Sequence, residues 1–258
     1  MRTPIAILIA AATLAGGHGA PARSEAIERL WSNPKFQKQL LGSYGINASI
    51  EPGPTPEEQN YYEQIVPLIN SDPAQAVRLL EQLATAEASA LFDFTLGNIH
   101  FQEGRARQAV NAYRTALDKF PSFRRAHQNL AIIYVQNERP EQAIEHFTRA
   151  LQLGEANGTL YGLLGSAYVM REDYVAAESA FRNAIMLAPE VKDWKLGLIR
   201  ALFSQGAYRD VVGMTTALIA EEPDDAALWQ LRASAHVGLK EMLKAATDYE
   251  VMHMTGEP

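Results

Sequence analysis

GTLYGLLGSAYVMREDYVAAESAFRNAIMLAPEV, residues 158–191, is the stretch that decides the fold. At helical spacing Tyr161, Leu164, Gly165 and Tyr168 belong to one helix, and Ala177, Phe181 and Ala184 share a face of a second. The small-aromatic-small order of the second helix, at intervals of 4 and 3, is written five times. Ala109, Ala143, Ala177, Val211 and Ala245 stand 34 residues apart. Four places later come Tyr113, Phe147, Phe181, Thr215 and Tyr249, then Ala116, Ala150, Ala184, Leu218 and Met252. A fixed period of this size means a stacked array of helix pairs, in which each unit touches only its neighbours.

The residue types follow from that packing. Gly97, Ala131 and Gly165 fall where two helices cross closely, and Ala109, Ala143 and Ala177 meet them from the second helix. The aromatics Tyr113, Phe147 and Phe181 fill the space between one pair and the next. Pro121, Pro189 and Pro223 stop one helix before another starts. A single pair leaves one face bare, so only stacking buries a continuous core.

From Ala90 to Pro223 the chain resembles the tetratricopeptide repeat family. The unit quoted above carries the fullest set, from Tyr161 to Pro189. Leu96, Gly97, Gly104 and Tyr113 repeat it one way, and Leu130, Ala131, Tyr134 and Phe147 another. The fourth unit keeps Leu198, Gly206, Tyr208 and Pro223 but puts Thr215 at the aromatic place. The resemblance implies an all-α, right-handed superhelical solenoid of helix-turn-helix repeats. The units run 90–123, 124–157, 158–191, 192–225 and 226–258, after a degenerate first repeat at 57–89. There Ile65, Leu68 and Ile69 line one helix, Asp72 caps the next with Pro73 at its first position, and Tyr62, Asp72 and Glu81 read as solvated.

In this family the first helices line a concave groove. The repeat frame places Phe94, Asn98 and Phe101 there, then Arg125, Gln128, Asn129 and Ile132. Thr159, Ser166 and Val169 follow, and finally Asp193 and Arg200. This mixture suits an extended peptide: apolar contact from Phe94, Phe101, Ile132 and Val169, amide hydrogen bonds from Asn98, Gln128 and Asn129, carboxylate binding by Arg125 and Arg200. Phe94 and Phe101 are equally well explained as packing against neighbouring helices. Asn98 and Asn129 match the two amides of a clamp that grips chaperone C-termini in some members, but its basic positions hold Phe94, Thr159 and Leu163, so that ligand is not expected.

Among 258 residues 47% are hydrophobic and 21% charged, which describes a folded chain, and the net charge of −7 argues against nucleic acid as partner. There is no cysteine, which excludes disulfides and thiolate chemistry. The five histidines of the array show no metal spacing, and no nucleophile elbow or phosphate loop occurs, so neither enzyme, metal nor cofactor is expected. Met1-Arg2, the apolar run Ile5 to Ala15 and Ala20-Pro21-Ala22 have the layout of a signal peptide over 1–22, and the periplasm is the expected compartment. With that signal removed nothing would span the membrane. Residues 23–56 form a capping segment and a Pro-rich linker. Leu160–Gly165 and Asp193–Leu198 are loosely similar to stretches in periplasmic repeat proteins found with ExbB/ExbD/TonB-type systems. The resulting expectation is a non-enzymatic scaffold that holds a peptide of a cell-envelope protein. The alternatives are a scaffold for polysaccharide export or the regulatory arm of an enzyme complex. Val251, Met252 and Met254 form an apolar C-terminal edge suited to self-association.

Overall fold

The computed structural model describes residues 52–154 and 157–255. The expected signal peptide and nearly all of the expected capping segment lie outside these residues. Among the described residues there are twelve helices and no strand. They run α1 Pro56–Ser71, α2 Pro73–Leu83, α3 Ala90–Gln102, α4 Ala106–Lys119, α5 Arg124–Gln136 and α6 Pro140–Gln152. Then come α7 Gly158–Met170, α8 Tyr174–Leu187, α9 Lys192–Ser204, α10 Tyr208–Glu221, α11 Ala226–Gly238 and α12 Met242–Thr255. Each odd-numbered helix pairs with the even one after it, and each pair stacks on the next. This is an all-α solenoid.

The ladder of small residues is its seam. Ala109, Ala143, Ala177 and Val211 are fully buried and Ala245 nearly so. Tyr113, Phe147 and Phe181 are buried too. Thr215, in the place of an aromatic, hides its hydroxyl by donating to the Val211 carbonyl at 2.7 Å. Tyr249 breaks the series at 39% exposed, since no pair follows it among the described residues. The apolar contacts run in two stretches that meet on α8: Ala180 belongs to the first, Ala177, Phe181 and Ala184 to the second. First helices of successive pairs (α5 with α7, α7 with α9) approach one another, while second helices make no comparable approach. The first helices therefore form the inner layer of the curve.

The turns inside the pairs repeat as faithfully as the seam, though their residues do not. Gly104, Glu138, Glu172, Gly206 and Lys240 all have positive φ, from 56° to 75°, and again lie 34 residues apart. After each, a backbone N–H bonds a carbonyl five residues back: Arg105 to His100, Arg139 to Tyr134, Asp173 to Tyr168, Ala207 to Leu202 and Glu241 to His236, at 2.8–3.0 Å. This is the Schellman closure of a helix, which needs one left-handed residue. Three of the five places carry a side chain that this conformation disfavours.

Asp72 caps α2 by accepting from the Gln75 N–H at 3.0 Å. Tyr62 is not solvated: it is 4% exposed, tilted against Phe92 with ring centroids 6.4 Å apart, and its hydroxyl meets Thr95 Oγ1 at 3.3 Å. The following pair supplies the cover that the isolated helix pattern did not reveal.

The turn geometry makes a pair of opposite predictions. Glu172→Gly should stabilise the protein by about 1 kcal/mol and Gly206→Ala destabilise it by about the same amount. Urea unfolding of both variants checks this. Two shifts of the same sign would contradict the left-handed assignment.

Candidate functional site

The inner layer is built from α3, α5, α7, α9 and α11. Its first member is unusual. Twelve of the thirteen residues of α3, Ala90 to Phe101, are buried, polar Asp93, Thr95, Asn98 and His100 among them. A helix covered on every side needs internal partners for its polar groups. Lys119 Nζ supplies one, 2.5 Å from Asp93 Oδ2, and also donates to the Thr85 carbonyl. Burial pushes the Asp93 carboxyl up and Lys119 pulls it back, leaving it above the ordinary aspartate value.

The residues expected to form an open groove divide into two sets. Phe94, Asn98, Phe101, Asn129, Ile132 and Ser166 are buried, a correction to their reading as exposed contacts. Phe94 sits against Phe123 and Tyr113, with centroids 4.6 and 5.7 Å away, and the Arg125 guanidinium lies 5.0 Å from its ring. Of its two sequence-level explanations, packing on neighbours is the one observed. The Tyr113 hydroxyl donates to Asn98 Oδ1 at 2.7 Å, and Asn129 Nδ2 donates to the same oxygen at 3.0 Å. These amides tie the aromatic of one repeat to the inner helix of the next. Asn129 Oδ1 is buried and has no hydrogen-bond partner among the described residues. Ser166 Oγ turns back to the Gly162 carbonyl at 3.1 Å. Gly162 itself leaves room for Trp194, whose ring a Cβ would meet at 2.4 Å.

Arg125, Gln128, Thr159, Val169 and Asp193 are half-buried and Arg200 is exposed. Arg125, Asp193 and Arg200 each take part in further contacts. Leu196 and Phe203 on α9 and Ser234 on α11 are half-buried, and Gln230 is exposed. At the far end Arg232 grips the buried Asp248 with two bonds of 2.9 and 2.7 Å, and its guanidinium lies 4.6 Å from the Trp229 ring. The inner surface thus changes from closed at α3 to open at α9 and α11.

One constellation went unseen in the sequence. His127 on α5 and His146 on α6 bring their Nδ1 atoms to 2.8 Å. His127 Nε2 lies 3.1 Å from the Pro121 carbonyl, an acceptor only, so it carries the hydrogen. Neutral His127 then accepts at Nδ1, and His146 Nδ1–H donates. Tyr134 stacks on His146 at 5.6 Å and takes a bond from Arg114 Nη2 at 2.8 Å. Burial, then His127, then Arg114 lower the His146 pKa to about 4. The two histidines are 19 residues apart, a spacing that no single-helix rule links; only the antiparallel pair brings them face to face. Among the described residues no group of three or more His, Cys, Asp or Glu is placed to hold a metal ion. Nor is any described helix long and apolar enough to cross a membrane.

Comparison with known proteins agrees with this architecture. Residues 94–158 and 168–235 each match a tetratricopeptide repeat profile. The general transcriptional corepressor trfA of Dictyostelium discoideum is 30% identical over 98 residues, which take in 38% of this chain and 7% of that protein. The chain thus matches only a small part of that curated relative. Among solved structures, YrrB, described as a TPR protein with an unusual peptide-binding site, superposes with a TM-score of 0.61 at 20% identity, covering 65% of this chain and 87% of its own. A tetratricopeptide repeat protein from Parabacteroides merdae ATCC 43184 gives 0.60 at 20% identity, covering 78% and 80%. At such identity the structural likeness establishes the fold.

The histidine pair makes the fold sensitive to acid. His146 takes its proton near pH 6.5 in the unfolded chain and near 4 in the folded one, so the unfolded state binds more protons between those values. Stability should fall as pH drops from 6.5 to 4, and His146→Asn should flatten that slope. Urea midpoints across this range test it. Equal slopes in both proteins would contradict the assignment.

Proposed function

The chain belongs to the tetratricopeptide repeat family, and on that footing we propose that it is a non-enzymatic scaffold holding a peptide segment of a cell-envelope protein on the open half of its inner face. The observation that carries this reading is the change in exposure along the inner layer. Arg200 on α9 and Gln230 on α11 are exposed, and Leu196, Phe203 and Ser234 beside them are only half-buried, in contrast to the closed surface of α3. Together they offer what an extended peptide needs: two apolar contacts, a cation for a carboxylate, and an amide and a hydroxyl for backbone groups. Their character differs from unit to unit, whereas the seam repeats. The same fold in YrrB carries a peptide-binding site.

The envelope assignment rests on the N-terminal sequence. The single arginine, short apolar run and small-residue end of residues 1–22 direct the chain to the periplasm. The loose similarity of Leu160–Gly165 and Asp193–Leu198 to repeat proteins of ExbB/ExbD/TonB-type systems supports a partner in an energised envelope complex.

A photo-crosslinker at position 196, with the protein purified from envelope extract, tests the reading. Arg200→Ala combined with Phe203→Ala should weaken capture of the crosslinked partner by about 1–3 kcal/mol, roughly 5- to 150-fold in affinity. Unchanged capture would remove the open half of the inner face as the binding surface. An oligosaccharide in place of a protein adduct would favour the export role instead.

A further inference from the structure

Asp93, His127, Tyr161, Lys195 and Trp229 stand 34 residues apart, each the fourth residue of a first helix. Three of them carry a ring, and each ring is held in place. His127 Nε2 and Trp229 Nε1 donate to the carbonyls of Pro121 and Pro223, six residues back in both cases, at 3.1 and 2.8 Å. Tyr161 and Trp229 pack on the apolar core, and His127 meets His146 on the second helix of its pair. Asp93 is charged, but Lys119 closes on it at 2.5 Å. Lys195 differs from all four. It is half-buried, and among the described residues its ammonium makes no ion pair or hydrogen bond.

Beside Lys195, at the unit that lacks the ring, a crevice of about 510 Å³ opens between α8 and α10, with α9 as its floor. Ligand pockets are commonly of this size. Ile185, Leu198, Met214 and Leu218 make its walls apolar, and Met186, 71% exposed, extends them outward. Met214 holds the place that His146 holds two units earlier, and its flexible thioether adapts to what lies against it. Arg182, Lys195 and Glu221 supply the charges. Arg182 is taken by Glu178 at 2.9 Å, and Glu221 is exposed and keeps its water. The Lys195 ammonium has given up part of its hydration with no carboxylate in exchange, so it gains most from an incoming anion.

We propose that this crevice is a docking site for an aromatic side chain of a partner protein with an Asp or Glu beside it. The ring takes the place that His127, Tyr161 and Trp229 fill in the other units, and the carboxylate pairs with Lys195. The chain's own repeats argue for the ring, and the unmatched cation argues for the acid. None of Leu196, Arg200 and Phe203 lines the crevice, so this site is separate from the inner-face surface and does not depend on it.

NMR of methyl-labelled methionine on the full chain reads the site, because Met186 and Met214 line it while Met242, Met252 and Met254 belong to α12. The probe is the capped dipeptide acetyl-Trp-Glu-amide. It should shift the Met186 and Met214 signals and leave those of α12 in place. Acetyl-Ala-Glu-amide, which lacks the ring, should bind at least about tenfold more weakly. Acetyl-Trp-Gln-amide, which lacks the charge, should bind about two- to fivefold more weakly. Lys195→Gln should erase the difference between the Glu and Gln probes and keep the preference for the ring. Lys195→Trp should fill the crevice from within and abolish the shifts; if that variant loses helix, Lys195→Gln carries the test alone. No shift at Met186 and Met214, or equal shifts at the methionines of α12, would overturn the proposal. So would acetyl-Trp-Lys-amide binding as tightly as the Glu probe, which would assign the charge to Glu221. Indole-3-acetate binding more tightly than the dipeptide would overturn it too, since the ligand would then be a free aromatic acid. These probes report nothing about the inner face, so either surface can fail without the other.

Discussion

The ring of Phe181 lies between two backbones. A Cβ on Gly165, within its own pair, would come to 2.9 Å of it, and one on Gly197, on the next inner helix, to 2.5 Å. The array depends on this contact and its equivalents. An aromatic on the second helix needs a small residue opposite it in its own repeat, Gly97, Ala131 or Gly165, and Phe181 meets another, Gly197, in the repeat that follows. Tyr113 has the same relation to Gly97, 2.5 Å from a built Cβ, and adds hydrogen bonds to Asn98 and, through Asn129, to the next inner helix. Close-packed interiors do not absorb even a methylene without strain, so the spacing between pairs is set by the thickness of one ring. Repeating the contact repeats the rotation between pairs, and a solenoid follows.

That constraint is why the fold could be read from sequence. Ring and small partner recur at a 34-residue interval, and the side chains that carry them admit few alternatives. The turns recur just as strictly in the backbone, yet Gly104, Glu138, Glu172, Gly206 and Lys240 share no side-chain feature. Backbone conformation leaves a trace in sequence only where glycine is chosen. The histidine pair was hidden for another reason: His127 and His146 approach across two helices, and their distance depends on the register of the hairpin rather than on either helix alone.

The inner face was read less well, for a physical reason. A repeat frame tells which way a residue points and not what covers it. Asn98 and Asn129 point inward as expected, but they spend their hydrogen bonds on Tyr113 and on each other. Phe94 spends its surface on Phe123. Farther along, Arg200 and Gln230 are exposed in the same orientation. Seam and inner face therefore divide the work: residues that repeat hold the pairs together, and residues that do not repeat are left to distinguish partners.

The central claim is that one ring couples two adjacent pairs. Hydrogen exchange measured helix by helix on wild type and Phe181→Ala tests it most directly. Removing a buried phenyl ring costs about 3–5 kcal/mol, more than a single repeat boundary can absorb unnoticed. The account predicts faster exchange in α7, α8 and α9, with α3 and α4 little changed. Acceleration confined to α8, or spread evenly over all twelve helices, would contradict it.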